Sequence, residues 1–180
     1  MVGAMTPSEL FKVIRSIPDF PKKGVVFRDI TTLLKDPTAF RTVVDLFCDR
    51  YKDSRIDKIV SVESRGFIFA APLAYKLKAG FVPIRKPGKL PAETVKQQYT
   101  LEYGTDTVEI HRDAITRGER VLIHDDLLAT GGTMAAASEL VRRLGGKIVG
   151  LSFLIELSFL KGRDRLGNHE IYSILMYDRE

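Results

Sequence analysis

The chain has 180 residues, enough for one domain with a substantial core, and its 44% hydrophobic and 28% charged residues are the balance of an ordinary globular protein. Its longest apolar runs, such as residues 67–71 and 153–155, are far too short to span a bilayer, so no membrane partner is expected; the opening residues carry no basic-then-apolar secretory signal. The 28 Lys+Arg against 23 Asp+Glu leave +5, which suits an anionic partner, either a nucleic acid or a multiply phosphorylated small molecule, without choosing between them. Cys48 is the only cysteine, which excludes an internal disulfide and favours a reducing compartment, the cytoplasm.

Taken in chain order, Thr6-Pro7-Ser8-Glu9 predicts a helix start with an N-cap, an N1 proline and a capping-box glutamate. Leu10, Val13, Ile14 and Ile17 would form the apolar face of that helix. Residues 17–34, rich in Pro and Gly, read as a small hood. Asp36-Pro37 repeats the start signal, followed at helical spacing by Phe40, Val43, Val44, Phe47 and Tyr51, with Cys48 as a small core or flanking residue. Residues 56–62 read as a strand, 67–78 as a helix ended at Gly80, and 81–85 as another strand. The stretch 86–104 has neither period, and a loop of that length is usually functional or mobile; it is taken as a flexible loop extending to about residue 106. Residues 107–110 are strand-like, and 121–124 form a short buried strand ending in two acids. Residues 133–144 form a helix with Ala137, Leu140, Val141 and Leu144 on one face, closed by Gly145-Gly146, and 148–155 and 171–177 supply two more strands. No repeat or linker divides the chain. The alternation predicts an α/β fold in a single domain over 1–180, with a largely parallel central sheet flanked by helices.

The segment from Val121 to Thr133 leads from a strand into a helix, and in open α/β sheets ligands bind where such a loop lies. Thr130, Gly131, Gly132 and Thr133 open the helix: glycines admit an anion close to the backbone, threonines offer hydroxyls, and the helix start supplies unpaired N–H groups. That is a phosphate cradle, although it lacks the spacing and lysine of a Walker loop. Asp125 and Asp126 would repel an anion unless they face hydroxyls or a metal, and carboxylates serve both. A sugar carrying one phosphate and two free hydroxyls fits both halves.

This segment resembles the phosphoribosyl-pyrophosphate (PRPP) motif of the type I phosphoribosyltransferase family, in the form of its adenine-using branch. Further stretches matching that branch are Pro18-Asp19-Phe20-Pro21, the run from Gly24 to Ile30, Glu63-Ser64-Arg65-Gly66-Phe67, the run from Ile84 to Pro91, and Leu101-Glu102-Tyr103-Gly104. The resemblance covers nearly the whole chain. It implies a Rossmann-like fold, a homodimer, Mg²⁺ as cofactor, and transfer of ribose-5-phosphate from PRPP to N9 of adenine, giving AMP and pyrophosphate. It places Ala129 and the residues through Thr133 on the 5′-phosphate, and Asp125 and Asp126 on the ribose hydroxyls or, through water, on a Mg²⁺ held mainly by substrate. Glu63, Ser64, Arg65, Arg85, Lys86 and Lys89 would surround the pyrophosphate, some from a neighbouring subunit. In relatives the peptide matching Glu63-Ser64 is often cis.

Relatives acting on 6-oxopurines place an aspartate at the position of Ala129. A methyl group there sends the search for a proton donor at N7 to Glu102, with Tyr103 helping to close the loop. Val26 and Phe27, which alone would read as core residues, become the sandwich for adenine, and the backbone at Arg28 the reader of its amino edge. His124, before the acids, reads as structural, and His111 and His169 form no zinc-ligand set with it. The rival reading is a PRPP-sensing regulator bound to nucleic acid. The chain has no spare length for a winged-helix region, so no nucleic-acid partner is expected.

Overall fold

The computed structural model describes residues 5–100 and 104–179. Helix α1 (Pro7–Val13) starts as its residues dictate, with the Thr6 side chain accepting the Glu9 N–H and Glu9 reaching back to the Thr6 N–H. It stops earlier than its apolar spacing suggests. Pro18 disfavours helical geometry at Ile17, and β1 (Arg15–Ile17) instead pairs antiparallel with β2 (Phe27–Asp29), setting Ile17 opposite Phe27. The hood is thus a hairpin followed by a short α2 (Thr31–Leu34).

Helix α3 (Pro37–Tyr51) is capped by the Asp36 carboxylate, which accepts from the Thr38 and Ala39 N–H groups. β3 (Lys58–Val62) leads to α4 (Phe67–Leu77), which ends at Lys78 in the left-handed conformation (φ 56°) rather than at Gly80; Gly80 opens β4 (Gly80–Ile84). The stretch expected to lack structure contains β5 (Thr94–Thr100), which pairs antiparallel with β6 (Thr105–His111). Its alternation is muted, since Val95, Gln97 and Tyr99 are only half-buried between exposed Lys96, Gln98 and Thr100. β7 (Arg120–Leu128) is longer than expected and carries both acids, because Asp125, Leu127 and Leu128 keep pairing with β8 (Lys147–Leu157). α5 (Gly132–Arg143) and β9 (Ile171–Tyr177) complete the order.

The five-stranded sheet runs β4-β3-β7-β8-β9, all parallel. Strand alternation splits the core in two. Ile59 and Leu122 point to one face, where α3 and α4 pack with Val43, Phe47 and Phe69. Val60, Val121 and Ile123 point to the other, beneath α5 with Ala137, Leu140 and Val141. Helices on both faces leave the carboxyl edge of β3 and β7 open, and the candidate residues converge there.

Candidate active site

A cleft of about 350 Å³ at that edge is lined by Val62 through Arg65 after β3, by Lys86 and Tyr99, and by the run from Asp125 to Met134. The two acids, the whole loop Ala129–Thr130–Gly131–Gly132–Thr133, and Glu63, Ser64, Arg65 and Lys86 therefore share one space. Arg85, Lys89, Val26, Phe27 and Arg28 do not line it. Phe27 stands just outside, 5.2 Å from the Arg65 guanidinium and edge-on to Phe20, while Arg28 stacks over Tyr177. Glu102 and Tyr103 lie outside the described residues.

The loop ends on Gly131, which holds the left-handed φ of 80° and caps α5. The first residues of α5 line the cleft, where a helix start offers N–H groups without intrahelical partners at the positive end of the dipole. Behind the acids, Gly66 is required: a Cβ there would sit 2.5 Å from Ser61 Oγ and 2.7 Å from Asp125 Oδ1. Asp126 is buried and faces the Arg65 guanidinium as an ion pair, but its Oδ2 has no aligned hydrogen bond. Asp125 accepts the Asp126 N–H at 2.9 Å. Burial and the neighbouring Asp126 push the Asp125 carboxyl well above its ordinary range, and burial raises Asp126 too, against the pull of Arg65. Such an edge gains from hydroxyl donors or a hydrated cation.

Glu63 gathers the cations beside it. Its carboxylate accepts from the Lys86 N–H at 2.7 Å and Arg85 Nε at 2.9 Å, and Lys89 Nζ lies 3.3 Å away. Burial pushes Glu63 up, yet those partners outweigh it and hold the carboxyl below its ordinary value. The Glu63–Ser64 peptide is cis. Lys86 reaches across to Asp106 and to Tyr99 Oη at 3.3 Å, and Tyr99 donates to Asp106 at 3.2 Å. Tyr99 and Asp106 escaped the sequence reading; the alternation of Val95, Gln97 and Tyr99 was the available signal.

His124 is buried on β7 with Nδ1 2.9 Å from Ser152 Oγ and its ring edge-on to Phe47, and burial pushes its pKa down from 6.5 to about 3. Because the folded value lies below the unfolded one, the unfolded chain binds the extra proton, and stability falls by as much as about 1.4 kcal/mol per unit as pH drops through that window. His124→Gln should flatten this dependence in urea unfolding between about pH 6 and 4. Curves for the two proteins that run parallel would show that the folded histidine takes up a proton.

A parallel sheet whose open edge joins two acids, basic side chains and a glycine-started helix defines a binder of phosphorylated sugars or nucleotides. A family model described as phosphoribosyl transferase domain matches residues 29–172, and the chain belongs to that family. It is 59% identical over 171 residues to the adenine phosphoribosyltransferase of Solibacter usitatus (strain Ellin6076), covering 95% of this chain and 99% of the relative. To that of Geobacter metallireducens (strain ATCC 53774 / DSM 7210 / GS-15) it is 60% identical over 169 residues, with 94% and 99% covered. The crystal structure of the adenine phosphoribosyltransferase of Thermoanaerobacter pseudethanolicus superposes with a TM-score of 0.93 at 52% identity, covering 96% of this chain and 100% of that one. The Saccharomyces cerevisiae enzyme, complexed with an imino-altritol bisphosphate and adenine, gives 0.89 at 42%, with 94% and 98% covered.

Proposed function

We propose that the chain is an adenine phosphoribosyltransferase: it transfers the 5-phosphoribosyl group of PRPP to N9 of adenine, giving AMP and pyrophosphate. The observation that carries this reading is the single cleft holding acids, cations and a glycine-started helix. The relatives' shared activity supports it.

N9 attacks C1 of the ribose as the bond to pyrophosphate breaks, so the protein must hold both reactants in line and stabilise the departing charge. The loop from Ala129 to Thr133 and the start of α5 hold the 5′-phosphate, and Asp125 and Asp126 accept the ribose hydroxyls. Ser64, Arg65 and Lys86 meet the pyrophosphate. Among the described residues no cluster of three or more His, Cys, Asp or Glu could hold a metal, so Mg²⁺ would rest chiefly on substrate oxygens, with Asp125 and Asp126 reaching its water shell. The two buried carboxylates line the cleft with Asp126 Oδ2 already paired to Arg65, and a hydrated cation would suit the oxygens that this pair does not engage. Mg²⁺ supplies charge neutralisation of the leaving group. Val26 and Phe27 sandwich the base once it enters between hood and cleft, the Arg28 backbone reads its amino edge, and Tyr103 helps exclude water. The enzyme works as a homodimer in the cytoplasm, with some of the cations around the pyrophosphate supplied by the neighbouring subunit.

Pyrophosphate release with PRPP and Mg²⁺ tests the reading. Turnover on adenine should exceed that on hypoxanthine or guanine by at least about 100-fold, since a 6-oxo base leaves buried polar groups unpaired. A preference for either 6-oxopurine refutes the reading of Ala129, and no turnover on any base sinks the enzyme. Glu102 is proposed as the acid at N7. Glu102→Ala should lower kcat about 100-fold while adenine affinity holds; equal losses in both would reduce Glu102 to positioning.

A further inference from the structure

Two glycines outside each other's element meet behind the phosphate loop. A Cβ on Gly131 would collide with the carbonyl oxygen of Gly162, and a Cβ on Gly162 would collide with the carbonyl oxygen of Ala129. The loop therefore rests backbone to backbone on the 3₁₀ turn Gly162–Arg165, with the Leu128 side chain packed beside the contact. That turn is itself pinned at two points. Leu166 is 3% exposed in the cluster containing Leu128 and Met134. Arg163 grips the buried Glu156 with two bonds, Nε to Oε1 at 2.6 Å and Nη2 to Oε2 at 2.7 Å, and Ser173 donates to the same carboxylate at 2.6 Å.

Glu156 sits opposite Leu128 in the sheet, one residue before the loop begins. The grip thus ties the turn to the strand beside the one that feeds the loop. A planar guanidinium on a carboxylate fixes orientation as well as distance, so the pair opposes both displacement and rotation of the turn.

We infer that Arg163 and Glu156 are positioning residues for the reaction: through Gly162 they hold the Ala129 carbonyl, and with it the N–H groups of the loop, in the shape that accepts the 5′-phosphate. This rests on the phosphate assignment proposed above. Neither side chain touches substrate. Their removal should widen the cradle and weaken the sugar-phosphate end of the cleft while leaving the pyrophosphate end, built after β3, unaltered.

The test is direct titration of the full chain, wild type and Arg163→Met, with ribose 5-phosphate and separately with pyrophosphate and Mg²⁺. The variant should lose about tenfold in affinity for ribose 5-phosphate and less than about twofold for pyrophosphate. Kinetically, KM for PRPP should rise while KM for adenine holds. Should Arg163→Met fail to fold, Arg163→Lys keeps the charge without the two-pronged grip and must show the same split at smaller size. Equal losses for both ligands, or none for either, overturn the inference. Wild-type protein that binds pyrophosphate but not ribose 5-phosphate would instead overturn the assignment of the loop.

Discussion

Gly131→Ala is expected to lower kcat/KM for PRPP by about 100-fold or more and to cost about 2 kcal/mol of stability. Two separate penalties combine at this residue. An L side chain resists a φ of 80°, and its Cβ would drive into the Gly162 carbonyl oxygen, a backbone atom that cannot rotate away. Gly118→Ala separates the two. Gly118 also has positive φ (93°), but a Cβ there meets nothing within 4 Å, so only the strain, about 1 kcal/mol, should appear, with activity unchanged. Steady-state kinetics and urea unfolding of both variants decide the matter. If Gly131→Ala behaves like Gly118→Ala, the close approach of the loop to the turn has no consequence for phosphate binding.

Asp126→Ala should reduce kcat/KM for PRPP by about 100-fold, near 2.7 kcal/mol of transition-state stabilisation, with KM for adenine little changed. The aspartate gives the ribose hydroxyls their acceptor and holds Arg65 against the cleft, so its loss removes one contact and frees the cation that should meet the pyrophosphate. Asp126→Asn tells these contributions apart. An amide can still accept from a hydroxyl, but it leaves the Arg65 charge without its partner, and breaking a buried pair from one side costs more than the pair itself contributes. An asparagine variant with nearly full PRPP affinity would make the hydroxyl contact the main role. Unchanged PRPP kinetics in both variants would mean that the acids do something else.

The carboxyl edge connects these variants with the buttress behind it. Gly131, Gly162 and the Glu156–Arg163 pair form one stack running from the cleft to the far side of the loop. Asp126 on β7 and Arg65 after the neighbouring β3 form a second pair. The first governs shape and the second charge, so a variant in one should combine almost additively with a variant in the other. Gly131→Ala combined with Arg163→Met should instead fall well short of additive.

The long helices, most strands of the central sheet and the phosphate-loop pattern were legible in the residues alone. Capping signals at Thr6 and Asp36 are local hydrogen-bond geometry, legible because a cap and its partner lie within three residues of each other. The strand-to-helix run through Asp125, Asp126 and Gly131 is likewise contiguous, so its acids and glycines could be read together. Features that depend on contacts between distant segments were not legible locally. β6 was legible as residues 107–110, but its partner β5 packs only alternate half-buried residues, too weak a period to read. β7 continues through its acids because β8 supplies partners that no local pattern announces. Arg65 faces Asp126 across 61 positions of chain, and Arg85 and Lys89 turn to Glu63 instead of into the cleft. Gly162 was invisible for the same reason: what makes it indispensable is a carbonyl oxygen 33 residues earlier, brought against it only when β7 and β8 lie side by side.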